Sequence, residues 1–205
     1  MQIKNINRLV CIVTVFGVAQ FLFLTFLAAY LYPGGYDYFG YFFSDLGATV
    51  AKNGDPNVIS SLLFSVTLTV IALTLIPFWL TIHRLFAVSK IEKMLSKIGS
   101  ALGLISLPFI IGIILFPMDT QLEAHFMASL IFVSLFALAT ILYSIAFILN
   151  KKYPSYIGAI GFILLVLSLV PFFGPTATYV AFLQKIAVYG YFLWVLLPTY
   201  ILYLS

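Results

Sequence analysis

Charged side chains are scarce: Asp, Glu, Lys and Arg make up 8% of the 205 residues, against 63% hydrophobic ones. A water-soluble domain carries about a quarter charged residues. A chain this short cannot hide so much apolar surface in one core facing water. The scarcity therefore excludes a soluble domain and makes hydrocarbon the expected solvent. Cys11 is the only cysteine, which excludes an internal disulfide and a thiolate metal cluster; it is expected as a free thiol inside the first helix. The two histidines, His83 and His125, are expected at opposite membrane faces, which argues against a multi-histidine membrane hydrolase. The phosphate-loop, H-E-x-x-H, G-x-S-x-G and C-x-x-C patterns are all missing. No metal site and no cofactor is expected. The formal charge of +4 is no nucleic-acid signal, because the positive residues fall in short loops between apolar runs.

Apolar runs are what the chain has in abundance. About 20 such residues span the hydrocarbon core as a helix. Six stretches reach or approach that length: Leu9 to Tyr32, Val58 to Ile82, Ile98 to Phe116, Ala124 to Leu149, Ile157 to Phe173 and Ile186 to Leu204. Each is continuous rather than alternating, which favours helices over barrel strands. The first is too long to be the core of a cleaved signal peptide. The expected fold is all-α, a single six-helix transmembrane bundle over residues 1–205. Lys4, Arg8, Arg84, Lys90, Lys93, Lys97, Lys151 and Lys152 fall on one side, and only Lys52 and Lys185 on the other. The positive-inside rule then predicts both termini in the cytoplasm of a multi-pass cell-membrane protein. Asp37, Asp45, Asp55, Asp119 and Glu123 gather on the outer side.

Within the segment from Arg84 to Lys97, Ile91, Met94, Leu95 and Ile98 recur at helical spacing. It reads either as an interfacial helix on anionic headgroups or as an early start of the third span, the second being favoured. Pro77, Pro108, Pro171 and Pro198 lie within or near helix ends. The Gly99–Gly103 and Gly158–Gly161 spacings suggest close helix approach inside the bundle.

Candidate chemistry clusters at the outer face. The loop from Pro33 to Asn57 is rich in aromatics and carries Asp37, Ser44 and Asp45. It reads as an aromatic anchor at the interface, with Ser44 or Asp45 capping a short helix. Asp119 and Glu123, four apart, would share a face if helical, and His125 opens the fourth helix. A histidine there suits a base, a relay or a ligand role. Asp45, Asp119, Glu123 and His125 offer ligands for a divalent cation, or a network tying the loop to the bundle. Gln20 in the first helix and Asn57, Ser61 and Ser65 along the second suggest either an outward-opening polar pocket or interhelical hydrogen bonds. Gln184 and Lys185 would close that pocket or anchor the last helix at the headgroups.

Several of these residues also carry a resemblance. Tyr32-Pro33-Gly34, then Ser44-Asp45-Leu46-Gly47, then Asn57 opening the second helix, resemble domain-of-unknown-function family 998 of prokaryotic membrane proteins. So do Phe116-Pro117 with His125, and the closing segment from Lys185 through Val188-Tyr189 to Leu193-Trp194. In that family an acidic residue often follows the Phe-Pro pair directly, whereas Met118 intervenes here. The stretch from Ala48 to Pro56 is longer than usual. The resemblance implies six helices and a distant kinship to the Frag1, DRAM and Sfk1 membrane proteins, which are linked to lipid handling. The leading expectation is a lipid-associated membrane protein. Its pocket would lie among the first four helices under the aromatic loop, with Asp45 and His125 as main polar contacts and Gln20 and Asn57 deeper. Ser44, Ser61, Asp119 and Glu123 complete the candidate ligand contacts. The alternatives are an enzyme acting on a lipid headgroup through His125, and a structural subunit among other membrane subunits or a homo-oligomer.

Overall fold

A computed structural model describes the backbone of residues 2–173 and 179–205 and the side chains of 4–169 and 179–205. Six helices follow in order: α1 (Gln2–Tyr30), α2 (Val58–Ile82), α3 (Lys90–Leu115), α4 (Leu122–Leu149), α5 (Tyr156–Phe173) and α6 (Val180–Leu204). No strand occurs among the described residues; an isolated bridge pairs Val50 with Pro56. Short 3-10 turns cover Phe43–Gly47 and His83–Leu85. Five helices are long and apolar enough to cross a membrane, and α5 is apolar over its described stretch, Tyr156–Leu169. In hydrocarbon a backbone must satisfy its own polar groups, which is why continuous apolar sequence takes this form. The chain is a polytopic helical membrane protein.

Side chains confirm the solvent. Leu9, Phe16, Phe23, Leu62, Leu80 and Ile105 all stand exposed on helix flanks, whereas Trp79, Trp194, Tyr143 and Phe21 are fully buried. Each helix packs on its neighbours in sequence, and α6 closes back onto α1. Both termini therefore lie at one end, where Asn7 Nδ2 donates to Ser205 Oγ at 3.3 Å. The same end carries the basic residues of the α2–α3 and α4–α5 connections. It is latched by Asn150 Nδ2 donating to Glu92 Oε2 at 2.5 Å and Tyr153 OH to the Leu85 carbonyl at 3.3 Å.

The expected boundaries hold at α2 and shift elsewhere. Helix α3 begins at Lys90, with the Ser89 side chain accepting from the Glu92 N–H, so Lys90 to Lys97 is an early start of that span. Helix α6 begins at Val180, six residues before the expected Ile186. The polar pair Gln184–Lys185 ends the apolar window but not the helix, because both side chains find partners in the α1–α2 loop. Pro77, Pro108 and Pro198 sit inside α2, α3 and α6; the side chain of Pro171 lies outside the described residues. Small residues fix the closest approaches. A Cβ on Gly99 would come within 2.9 Å of the Tyr143 ring, and one on Gly158 would land on the Ser144 carbonyl oxygen. Cross-helix bonds add to the packing: Ser100 Oγ meets Tyr143 OH at 2.6 Å, and Trp194 Nε1 donates to the Ile157 carbonyl at 2.9 Å. Cys11 is buried, its thiol donating to the Thr199 carbonyl at 3.2 Å.

Candidate functional site

The aromatic loop between α1 and α2 is a plug seated in the end of the bundle opposite the termini. Phe43 is buried and packs edge-on against Phe64 and Tyr189, with ring centroids 5.5 Å apart in both pairs. Phe39 stacks on Phe182 of α6 at 4.8 Å. The Phe42 N–H donates to Asp45 Oδ2 at 2.7 Å, so Asp45 caps the 3-10 turn from within. Its other oxygen meets Lys52 Nζ at 2.9 Å, and Asp45 is only 2% exposed. Lys185 is buried rather than snorkelling. Its ammonium donates to the Tyr41 carbonyl and, at 3.1 Å, to the Ala181 carbonyl, and lies over the Tyr36 ring at 5.3 Å. Gln184 Oε1 accepts from the Phe43 N–H at 3.0 Å.

The candidate residues do not converge on one pocket among the first four helices. Asn57 is fully buried and spends its amide N–H groups on the Leu46 and Ala48 carbonyls, at 3.0 and 2.9 Å. Gln20 crosses to α2, donating to the Thr67 carbonyl at 3.2 Å and accepting from the Thr67 hydroxyl at 3.1 Å. Ser61 donates to the Asn57 carbonyl of its own helix, and Ser65 to Ser61 at 2.8 Å. The pair Asp119 and Glu123 shares no helical face, because Asp119 lies in the turn after Pro117 and precedes α4. Asp119 instead accepts from the Thr49 hydroxyl at 2.5 Å and from the Val50 N–H at 3.0 Å, while Glu123 is exposed. No group of three His, Cys, Asp or Glu side chains gathers closely enough to hold a metal ion among the described residues. These acids tie loops together.

Ser44 and His125 do come together, around a cavity of about 340 Å³ between α4, α5 and α6. Its wall is mostly apolar, with Leu130, Val133 and Phe136 from α4 facing Val188 and Phe192 from α6. Its polar atoms come from Ser44, His125, Ser129, Ser168, Gln184 and Tyr191. Besides His125, four of them have partners: Ser44 Oγ contacts Met118 Sδ at 3.0 Å, Ser168 Oγ pairs with Tyr191 OH at 3.1 Å, and Gln184 Oε1 accepts from the Phe43 N–H. His125 Nδ1 lies 2.7 Å from the Phe116 carbonyl. A carbonyl only accepts, so Nδ1 carries the proton, and in the neutral ring Nε2 presents a lone pair. Position on α4 makes this possible: Pro117 ends α3 and turns the chain, leaving the Phe116 carbonyl without a helical donor and next to the first turn of α4.

Sequence reasoning missed the polar residues that α2 really buries, Ser60, Thr67, Thr74 and Thr81. A stripe repeating every four residues drifts about 40° per step around a helix of 3.6 residues per turn. The steps Asn57, Ser60, Phe64 and Thr67 stay on one face, and that mixed spacing was the available signal.

Charges outside the membrane fit the tethering role. The Asp45 carboxylate, hydrogen-bonded to Lys52, raises the Lys52 pKa. Burial pushes Asp119 up, but the Thr49 hydroxyl and the Thr49 and Val50 N–H groups outweigh it, leaving its carboxyl below the ordinary range. The Phe39 and Gly40 N–H groups hold exposed Asp37 low as well.

No curated protein and no solved structure matches the chain. A family profile described as "Protein of unknown function (DUF998)" matches residues 15–200, nearly the whole length. The plug, the Phe116-Pro117 turn and His125 all fall inside that match, and the chain belongs to the DUF998 family.

Proposed function

We propose that the protein binds a membrane lipid, with its hydrocarbon in the α4–α6 cavity and its polar end at Ser44, His125 and Gln184. The observation that carries this reading is the cavity itself. Ligand sites are concave, run from about 300 to 1,000 Å³, and are mostly apolar with a few placed polar groups; this one has about 340 Å³ and that composition. Leu122 and Phe126 in its lining are also exposed on the flank of α4, at the surface that meets lipid. Binding is favoured over headgroup chemistry because the partner of His125 Nδ1 is a backbone carbonyl and not a carboxylate that would stabilise a protonated ring. Asp45 and Asp119, the carboxylates that would have completed an acid–base pair, are engaged in the loop. Filling the cavity by Val133→Trp is expected to strip the lipid that co-purifies with the full chain, read by native mass spectrometry, while the melting temperature holds. An unchanged lipid count in that variant sinks the reading.

The same proposal places the protein in the cell membrane with the basic end in the cytoplasm, since eight of ten Lys and Arg residues lie at that end. The aromatic plug then faces outward. In a Cys11→Ser background, Asn53→Cys is expected to react with an impermeant maleimide on intact cells and Ser89→Cys only after lysis. The reverse pattern turns the molecule over and moves the plug to the inner leaflet.

A further inference from the structure

A second cavity, of about 480 Å³, lies at the basic end, where the α2–α3 and α4–α5 connections meet the ends of α1 and α6. Three features of its wall belong together. Arg84 and Lys152 border it, and neither meets a carboxylate among the described residues. The N-terminus of the 26-residue helix α3, capped by Ser89, opens beside them and adds the positive end of its dipole. Asn7, only 6% exposed, also lines the cavity, and its Oδ1 has no hydrogen-bond partner while its Nδ2 is committed to Ser205. The Ser205 hydroxyl donates to the Leu202 carbonyl at 2.8 Å, so it accepts from Asn7, which fixes the amide's orientation. An orphaned buried acceptor is costly, and a donor is what relieves it.

We propose that this cavity receives the headgroup of a glycerophospholipid that carries both a phosphate and a hydrogen-bond donor beyond it. The cations and the helix terminus take the phosphate, and Asn7 Oδ1 takes the pendant hydroxyl or ammonium. Glu92 is no obstacle to the anion: its Oε2 is held by Asn150, and among the lining side chains Arg84 and Lys152 outnumber it. Basic pockets between transmembrane helices on the cytoplasmic side suit such headgroups. Neighbouring Val88 is 99% exposed and, with Ile91 at 59%, gives an apolar surface beside the cavity for the acyl chains.

The test is native mass spectrometry of the full chain in detergent, titrated with phosphatidylglycerol, phosphatidylethanolamine, phosphatidylcholine and inorganic phosphate. Titrations run also in the Val133→Trp background, so that occupancy of the other cavity does not enter. Phosphatidylglycerol and phosphatidylethanolamine are expected to bind about tenfold more tightly than phosphatidylcholine, which has no donor. Arg84→Gln is expected to weaken all three lipids about tenfold, the effect of losing one charge-assisted bond. Asn7→Ala is expected to erase the preference over phosphatidylcholine and leave the affinity for phosphatidylcholine unchanged. Equal affinities for the three lipids in the unsubstituted protein, or unaltered binding in Arg84→Gln, overturn the proposal. Displacement of lipid by an equal concentration of inorganic phosphate assigns the cavity to free phosphate and overturns it too.

Discussion

Gly158→Ala is expected to destabilise the protein by about 3 kcal/mol, at the upper end of what one added methyl costs in a packed interior. The new Cβ would land on the backbone carbonyl oxygen of Ser144 and would crowd Ile148 Cγ1 at 2.7 Å. A backbone oxygen inside α4 has nowhere to go, so α5 must move as a unit. Alanine's better helix propensity returns about 1 kcal/mol at most. Gly161→Ala, one turn on, is the control. Its Cβ would meet the Ser144 hydroxyl and, at 3.1 Å, Thr140 Cγ2, both side-chain atoms. Ser144 Oγ donates to the Thr140 carbonyl at 2.8 Å, and rotation about χ1 moves the hydroxyl off the new Cβ at the cost of that bond. A loss of about 1 kcal/mol is expected there. Unfolding by SDS in mixed micelles separates the two. Equal stability of both variants would mean that α5 does not approach α4 as closely as described.

Lys52→Met is expected to cost about 2–3 kcal/mol. It leaves Asp45, 2% exposed, with one backbone N–H and the more distant Lys185 ammonium to face its negative charge. Removing one partner of a buried pair costs about 3–5 kcal/mol; the lower figure applies because Lys52 is 45% exposed and water enters where its ammonium leaves. Asp45→Asn combined with Lys52→Met is expected to recover all but about 1 kcal/mol. The asparagine oxygen still accepts from Phe42 and the unpaired carboxylate is gone; the remaining deficit is the Asp45 charge that buried Lys185 also loses. A double variant no better than the single one would show that the ion pair contributes nothing. The pH dependence has a definite sign. The Lys52 pKa is raised in the folded chain, so its stabilisation is complete below the ordinary lysine value of 10.5 and fades as pH climbs past that point through the folded value. Through neutral pH this contribution is flat.

Much of the architecture was written in the apolar runs, because hydrocarbon leaves a continuous stretch such as Val58 to Ile82 only one way to satisfy its backbone. The boundaries that slipped were those where polar residues belong to a helix. At α6, Gln184 and Lys185 read as preceding the helix, yet both are helical because the Phe43 N–H donates to Gln184 and the Tyr41 carbonyl accepts from Lys185, across 141 and 144 residues of chain. Nothing local encodes such a partner. The same limit explains the site. His125 and Ser44 were legible as outer polar residues, but the cavity they border is made by α6 standing across from α4. Asp45 read either as the cap of a short helix or as a ligand group, and it caps the turn with an ion-pair partner seven residues away. An acidic residue in a loop carries no mark that separates the two until Lys52 is placed beside it.

Helix α6 touches both cavities. Val188 and Phe192 wall the outer one, and Leu202 borders the one at the basic end. A rod shared in this way acts as a lever: rocking at one end moves the other in the opposite sense. Pro198 interrupts the hydrogen-bond ladder between the two contact regions, so the stiffness of that single turn sets how much of a displacement at Phe192 arrives at Leu202.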